Sequence, residues 1–265
     1  MYREHFGLKE RPFYKIYDPK FLYQSSQHKE LVARLHFSLM EKEMAVITGE
    51  IGSGKTTSCI EFIQAFKSKC RIAYLFNPRL SDRDFLSEII LQLGNEEPKW
   101  FKRNLLDQLQ KAVDRCYDEL DMEPVLLVDE AQILPSCTLE NIRLLTNYQM
   151  NTNKLLTIIL IGQPELKRKL TLDTYEAFNQ RTGIKFHLYG MNKEETFNYI
   201  NHRLKAAGGN DSIFSSLAIE KIYDLSKGIP RKINKLASTS LLHSYLIRKN
   251  TVDHNVISQA AKEIE

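Results

Sequence analysis

The sequence predicts an α/β protein: a parallel five-stranded sheet covered by helices on both faces, followed by a small all-helical unit. Three observations predict it. Short apolar runs without internal alternation recur between segments of helical spacing, the pattern of strands buried on both faces. A glycine-rich turn at residues 49–56 joins the first such run to a helix. After about residue 190 the apolar runs stop and only helical spacing remains, so the chain divides into residues 1–190 and 191–265.

The elements follow in order. Residues 1–30 carry Phe6, Pro12, Phe13, Tyr14, Tyr17, Pro19, Phe21 and Tyr23, an extended segment too aromatic to be disordered and expected to pack on the domain that follows. Leu31, Leu35 and Leu39 mark a helix over residues 28–41. Residues 44–48 form an apolar strand that ends at Gly49, and Cys59, Phe62, Ile63 and Phe66 line one face of a helix over 56–67. Residues 71–76 make the second strand, and Ser81 with Asp84 caps a helix reaching about Leu93. Beyond a polar break at 94–98, a helix over about 101–120 leads to the third strand at 125–128. A helix over 139–149, a fourth strand at 157–161 and a short fifth strand at 184–188 complete the sheet. Asn192 and Glu195 open the first of four helices in the remaining residues.

Composition narrows the class. The 265 residues suffice for one α/β domain and a small second unit. Hydrophobic residues at 43% and charged residues at 26% exclude a disordered chain. A net charge of +4 permits contact with nucleic acid without demanding it. Cys59, Cys70, Cys116 and Cys137 lie outside any Cys-x-x-Cys pair, so they are expected to be reduced and buried rather than zinc-bound. The charged amino terminus is no secretory signal, and the longest strongly apolar stretch, residues 155–161, falls far short of the roughly 20 residues of a membrane helix. A soluble, cytoplasmic protein with no membrane partner is the expectation.

The chemistry concentrates in Gly49-Glu50-Ile51-Gly52-Ser53-Gly54-Lys55-Thr56, which fits the phosphate-binding loop with a strand before it and a helix after it. Its glycines let successive backbone N–H groups turn inward onto phosphate oxygens, and the following helix adds its positive end. Lys55 would reach the β- and γ-phosphates, the Thr56 hydroxyl would ligate Mg²⁺, and Thr57 completes the nucleotide-contacting set. The competing reading, an accidental glycine-rich turn, does not account for the strand–loop–helix context. Residues 125–128 run into Asp129-Glu130. Asp129 would share the Mg²⁺ with Thr56, and Glu130 would activate water as general base. A small-molecule kinase needs no such base, so the pair points to hydrolysis of ATP; the alternative is a solvated acidic loop.

At this point the sequence resembles the AAA+ superfamily and, within it, the ExeA-like bacterial ATPases. The match runs through Phe6-Gly7-Leu8, Pro12-Phe13, Phe21-Leu22-Tyr23, His28, Glu30, the loop at 49–56 and Asp129-Glu130-Ala131-Gln132. It continues through Ile161-Gly162-Gln163-Pro164-Glu165, Asn179-Gln180-Arg181 and Gly228-Ile229-Pro230-Arg231, and so covers nearly the whole chain. The resemblance implies a lid formed by the carboxyl-terminal helices and a role for each matched position. Asn77 would hold Glu130 in check, Gln163 would orient the attacking water, and Arg231 would sense the γ-phosphate. Adenine would lie near Tyr23 and His28. Arg181 would be an arginine finger, a group worth roughly 10³–10⁵ in rate when supplied in trans. A finger cannot reach its own phosphate, so a ring or helical filament is implied. Structural readings compete at each position: turn residues at Asn77 and Gln163, a surface cation at Arg181, a neighbouring Lys232 in place of Arg231, and packing for the aromatic segment.

Short members of this group resemble ATPases that accompany DDE transposases, including target-selecting regulators of Mu-type and related systems. The first reading is therefore an ATPase that oligomerises on duplex DNA and regulates or targets a transposase of a mobile element. Arg79, Arg83, Lys99, Lys102 and Arg103 are the candidate DNA contacts, interleaved with Trp100 and Phe101. Contacts of this kind would fall on backbone phosphates, tolerant of sequence and weakened by salt. The competing reading is a solvated basic face with Trp100 and Phe101 tucked into the core. Two other functions stand beside it: an ExeA-like ATPase assisting secretion or envelope assembly, whose longer members continue into a membrane helix, and a nucleotide-gated interaction module with negligible turnover.

Overall fold

The computed structural model describes residues 2–14, 16–148 and 156–264. In chain order the elements are α1 (Tyr2–His5), α2 (Ser26–Glu41), β1 (Met44–Gly49), α3 (Lys55–Phe66), β2 (Cys70–Leu75), α4 (Asp82–Gly94), α5 (Lys102–Asp118), β3 (Glu123–Val128) and α6 (Ser136–Tyr148). They continue with β4 (Thr157–Gly162), α7 (Pro164–Leu170), α8 (Glu176–Asn179), β5 (Thr182–Leu188), α9 (Lys193–Ala206), α10 (Ser216–Ser226), α11 (Pro230–Leu246) and α12 (His254–Ile264). Residue 149 of the predicted helix and Leu155 of the apolar stretch lie outside the described residues.

The chain forms two compact units, one of residues 30–49 and 55–188, the other of residues 1–29, 50–54 and 189–265. The first contains the sheet, all parallel, in the order β2-β3-β4-β1-β5. Strand pleating sends alternate side chains to opposite faces, and each face has its own core. Val46, Leu126, Val128, Ile158 and Leu160 pack with Phe85, Leu86 and Ile89 of α4 and with Leu105 and Leu109 of α5. Ala45, Ile47, Val125, Leu127, Ile159 and Ile161 pack with Leu31 and Leu35 of α2 and with Cys59 and Phe62 of α3. This two-sided burial is why the strands read as unbroken apolar runs. Edge strand β2 is capped laterally by Gln92 of α4. Its amide oxygen accepts from Tyr74 N at 2.7 Å and its nitrogen donates to Tyr74 O at 3.3 Å, filling the place of a neighbouring strand.

The second unit holds the four predicted carboxyl-terminal helices. Asn192 and Glu195 form the predicted capping box of α9, and Ser215 caps α10. The amino-terminal segment corrects the sequence reading. Phe6, Leu8, Phe13 and Phe21 enter the core of this helical unit, with Tyr199, Leu204 and Ile222. An extended segment carries unpaired carbonyls, and Arg203, only 8% exposed, supplies the donors: Nε to Pro12 O at 2.6 Å and Nη2 to Tyr14 O at 3.1 Å.

The cysteines need a second correction. Cys59, Cys70 and Cys116 are buried, but Cys137, in the first turn of α6, is exposed. Burial pushes the Cys70 thiol up to about 11, and burial together with the nearby Asp129 pushes that of Cys59 well above its ordinary range. A raised thiol pKa keeps the group neutral and unreactive at pH 8. A thiol-specific chromogenic reagent should therefore consume one thiol per native chain at that pH and four after denaturation; two or more in the native state would contradict this packing.

Candidate active site

Within the helical unit, residues 50–54 form the middle of the phosphate-binding loop. Gly52 and Gly54 have φ of +82° and +110°, values that L side chains resist, and Ser53 N donates to Glu50 O at 3.1 Å to close the turn. Gly52 O accepts the backbone N–H of Arg231, in the first turn of α11, at 3.2 Å. A Cβ at Gly52 would lie 2.3 Å from Cβ of Arg231, so this approach requires glycine. The Ser53 hydroxyl is buried and has no partner among the described residues, which fits a loop shaped to face phosphate oxygens.

Within the sheet unit, the carboxyl ends of the strands bring the other predicted groups together. Lys55, 6% exposed, donates from Nζ to Gly49 O at 2.8 Å. Thr56 Oγ1 donates to Asp129 Oδ2 at 2.7 Å, joining α3 to the end of β3. Asp129 is only 3% exposed, and its Oδ1 accepts Glu130 N at 2.8 Å. Tyr74 on β2, which sequence reasoning missed, lies close enough to this carboxylate for the Asp129 charge to act on its phenol. Burial, then the neighbouring Cys59 and Asp129, raise the Tyr74 phenol far above its ordinary range. Tyr74 sits on the face of the sheet that α3 covers, as Asp129 does. A tyrosine in an edge strand looks like packing until the third dimension places it. Hydroxyl and carboxylate oxygens are the hard donors that suit Mg²⁺.

Glu130 sits in the left-handed region, φ +53°. Its Oε2 accepts Gln163 Nε2 at 2.9 Å and Gln132 Nε2 at 2.6 Å. Gln163, at the end of β4, therefore reaches the predicted base. Asn77 follows β2, is exposed, and makes no side-chain hydrogen bond among the described residues. Arg181 stands directly before β5, whose Thr182 pairs with Met44 at the start of β1. Gly49 lies at the other end of β1, about 17 Å away at roughly 3.3 Å per residue, so Arg181 occupies the opposite edge of the sheet. There it lines a cleft of about 160 Å³ with Lys42, Glu43, Met44, Thr146, Leu156 and Ile158.

The remaining candidates scatter. Glu50, Ile51 and Arg231 are exposed and Thr57 is half-buried. In the helical unit Tyr23 makes edge contact with Tyr199, at 6.0 Å between ring centroids, and His28 is buried. Glu195 accepts Ser26 N at 2.7 Å and Asn192 N at 3.1 Å; burial raises its pKa, but these backbone donors outweigh it and hold the carboxyl below its ordinary range. Arg79 and Lys99 are exposed, whereas Arg83 is engaged: Nε donates to Trp100 O at 3.0 Å, and the guanidinium lies 4.5 Å from the Trp100 ring centroid. Trp100 and Phe101 are 75% and 69% exposed, so neither is tucked into the core. The side chains of Lys102 and Arg103 lie outside the described residues.

Loop, buried carboxylate and sheet order together define an AAA+ P-loop fold, and residues 39–170 match the family described as AAA domain. The chain is related to general secretion pathway protein A of Aeromonas hydrophila, 36% identical over all 265 residues, and spans 48% of that protein's length. Among solved structures it is similar to Cdc6p from Pyrobaculum aerophilum, with a TM-score of 0.70, 17% identity, and 95% of this chain and 70% of that one covered. It is also similar to the Aeropyrum pernix ORC2 protein in ADPNP–ADP complexes, with a TM-score of 0.66, 18% identity, and coverage of 97% and 72%. At these identities the likeness speaks for the fold. Among the described residues no helix is long and apolar enough to cross a membrane.

The Gly52 contact is directly testable. Gly52→Ala should lower unfolding stability by about 1–2 kcal/mol from its φ alone, with the clash at Arg231 adding to it. An unchanged urea midpoint would show that the loop and the start of α11 do not meet as described.

Proposed function

We propose that the chain is a Mg²⁺-dependent ATPase of the ExeA type that works as an oligomer. The observation that carries this reading is the joined pair at the end of β3: Asp129 bonded to Thr56, and Glu130 bonded to Gln163. The backbone amides of residues 50–54 and the Ser53 hydroxyl bind the phosphates. Lys55 exchanges its bond to Gly49 O for the β- and γ-phosphates. Thr56 and Asp129 hold Mg²⁺, which when bound neutralises phosphate charge. Glu130 takes the proton of the attacking water while Gln163 aligns that water. Arg181, at the far end of the sheet from Gly49, serves a neighbouring copy as arginine finger; Arg231 senses the γ-phosphate, Asn77 restrains Glu130, and Tyr23 borders the adenine. The name of the Aeromonas relative makes assistance to secretion the proposed task, and the family resemblance adds envelope assembly.

One observation favours a second reading. Trp100 and Phe101 are exposed, next to Lys99 in the chain and with Arg83 against Trp100, a surface that with exposed Arg79 suits duplex DNA, with a DDE transposase as the further partner. Duplex DNA added to the ATPase assay separates the two. The secretion reading expects no stimulation. The DNA reading expects stimulation that falls steeply as salt rises, with Arg79→Ala and Lys99→Ala each reducing the salt slope by about one unit.

Glu130→Gln decides whether there is turnover. We expect hydrolysis to fall by about 10²–10⁴ while ATP binding persists. Undiminished turnover in this variant would remove Glu130 from the reaction.

A further inference from the structure

We infer that Gln132 is the positioning residue that aims the Glu130 carboxylate, by tying it to the end of β4. The inference rests on the ATPase reading and adds a residue to it. Gln132 lies in the short turn after β3 and spans two elements with one amide. Its Nε2 donates to Glu130 Oε2 at 2.6 Å, and its Oε1 accepts the backbone N–H of Gln163 at 3.0 Å. Those partners dictate the orientation of the amide. Only oxygen can receive the Gln163 N–H, so nitrogen must face the carboxylate.

Two further features hold the arrangement. Gly162 leaves room for it, since a Cβ there would lie 2.8 Å from Gln132 Oε1 and 2.9 Å from Leu166 Cδ2. Gln163 Nε2 donates to the same oxygen of Glu130 at 2.9 Å, so two amides converge on Oε2 and fix the plane of the carboxylate. The backbone of Glu130 is left-handed, a conformation that persists only where surroundings over-determine it. Asn77, which the family resemblance nominates for restraint of Glu130, makes no such bond among the described residues. Gln132 and Gln163 both donate to the base, and among the described residues Gln132 alone of the two also joins its amide to a backbone N–H.

A general base displaced by about 1 Å loses on the order of a hundredfold in rate without loss of substrate affinity, and that split is the signature to seek. The experiment compares Gln132→Ala, the isosteric Gln132→Glu and the double variant with Glu130→Gln. It measures steady-state ATP hydrolysis, binding of a fluorescent ATP analogue, and thermal melting. Gln132→Ala should lower kcat by about 10–100-fold while KM and analogue affinity stay within about twofold. Gln132→Glu, which sets a second carboxylate against Glu130, should lose at least as much. In the Glu130→Gln background Gln132→Ala should cost nothing further, because the two residues act as a unit. Wild-type kcat in Gln132→Ala, an equal loss in both backgrounds, or a parallel loss of analogue affinity would each overturn the inference. If Gln132→Ala fails to fold, the same criteria apply to Gln132→Glu. Absence of hydrolysis in the wild-type chain would instead strike the ATPase reading itself.

Discussion

A carboxylate withdrawn from water has to be given donors or a cation, and in this chain that carboxylate is Asp129. It lies at the end of β3, 3% exposed, with the Thr56 hydroxyl and the Glu130 amide donating to it. Much of the sheet unit is arranged around that demand. The Thr56 bond ties the first turn of α3 to the end of β3, two strands from β1 in the sheet order. Cys59, one turn further along α3, packs on the same face and is kept neutral partly by this negative charge. An all-parallel sheet makes the arrangement possible, because every strand delivers its carboxyl end, and the polar residue that follows it, to one edge.

The second consequence is the environment of the residue that follows Asp129. Glu130 turns through a left-handed conformation and meets amides carried by the turn after β3 and by the end of β4. Asp129 is buried beneath donors, while Glu130 is half-buried and held by two neutral amides. Adjacent carboxylates in such different settings are compatible with the different tasks proposed for them, one holding a cation and the other accepting a proton.

How much of this was legible in the sequence follows from how local each signal is. The strands, the loop at 49–56 and the caps at Ser81 and Asn192 depend on residues close together in the chain, and the structure has them where periodicity and capping predicted. Asp129 and Thr56 were nominated together because the motif chemistry links them. Gln132 stood in the matched motif without a role and Tyr74 carried no signal, since each acquires its place from a strand or turn brought alongside by the fold. The amino-terminal segment was misplaced for a similar reason: its aromatics follow neither a helical nor a strand period, and its anchor, Arg203, lies in α9. The exposure of Cys137 was likewise unreadable, because it depends on which side of α6 faces the sheet.

Residues 39–170 match an AAA domain, the chain is similar to general secretion pathway protein A, and the chemistry proposed for it rests on oxygen donors gathered at one edge of the sheet. The most direct measurement of that claim is equilibrium binding of ATP to the intact chain with and without Mg²⁺, repeated for Asp129→Asn. Mg²⁺ is predicted to tighten ATP binding to the wild-type chain, and the variant is predicted to retain metal-free ATP binding while losing the Mg²⁺ effect. An undiminished Mg²⁺ effect in Asp129→Asn would contradict the account.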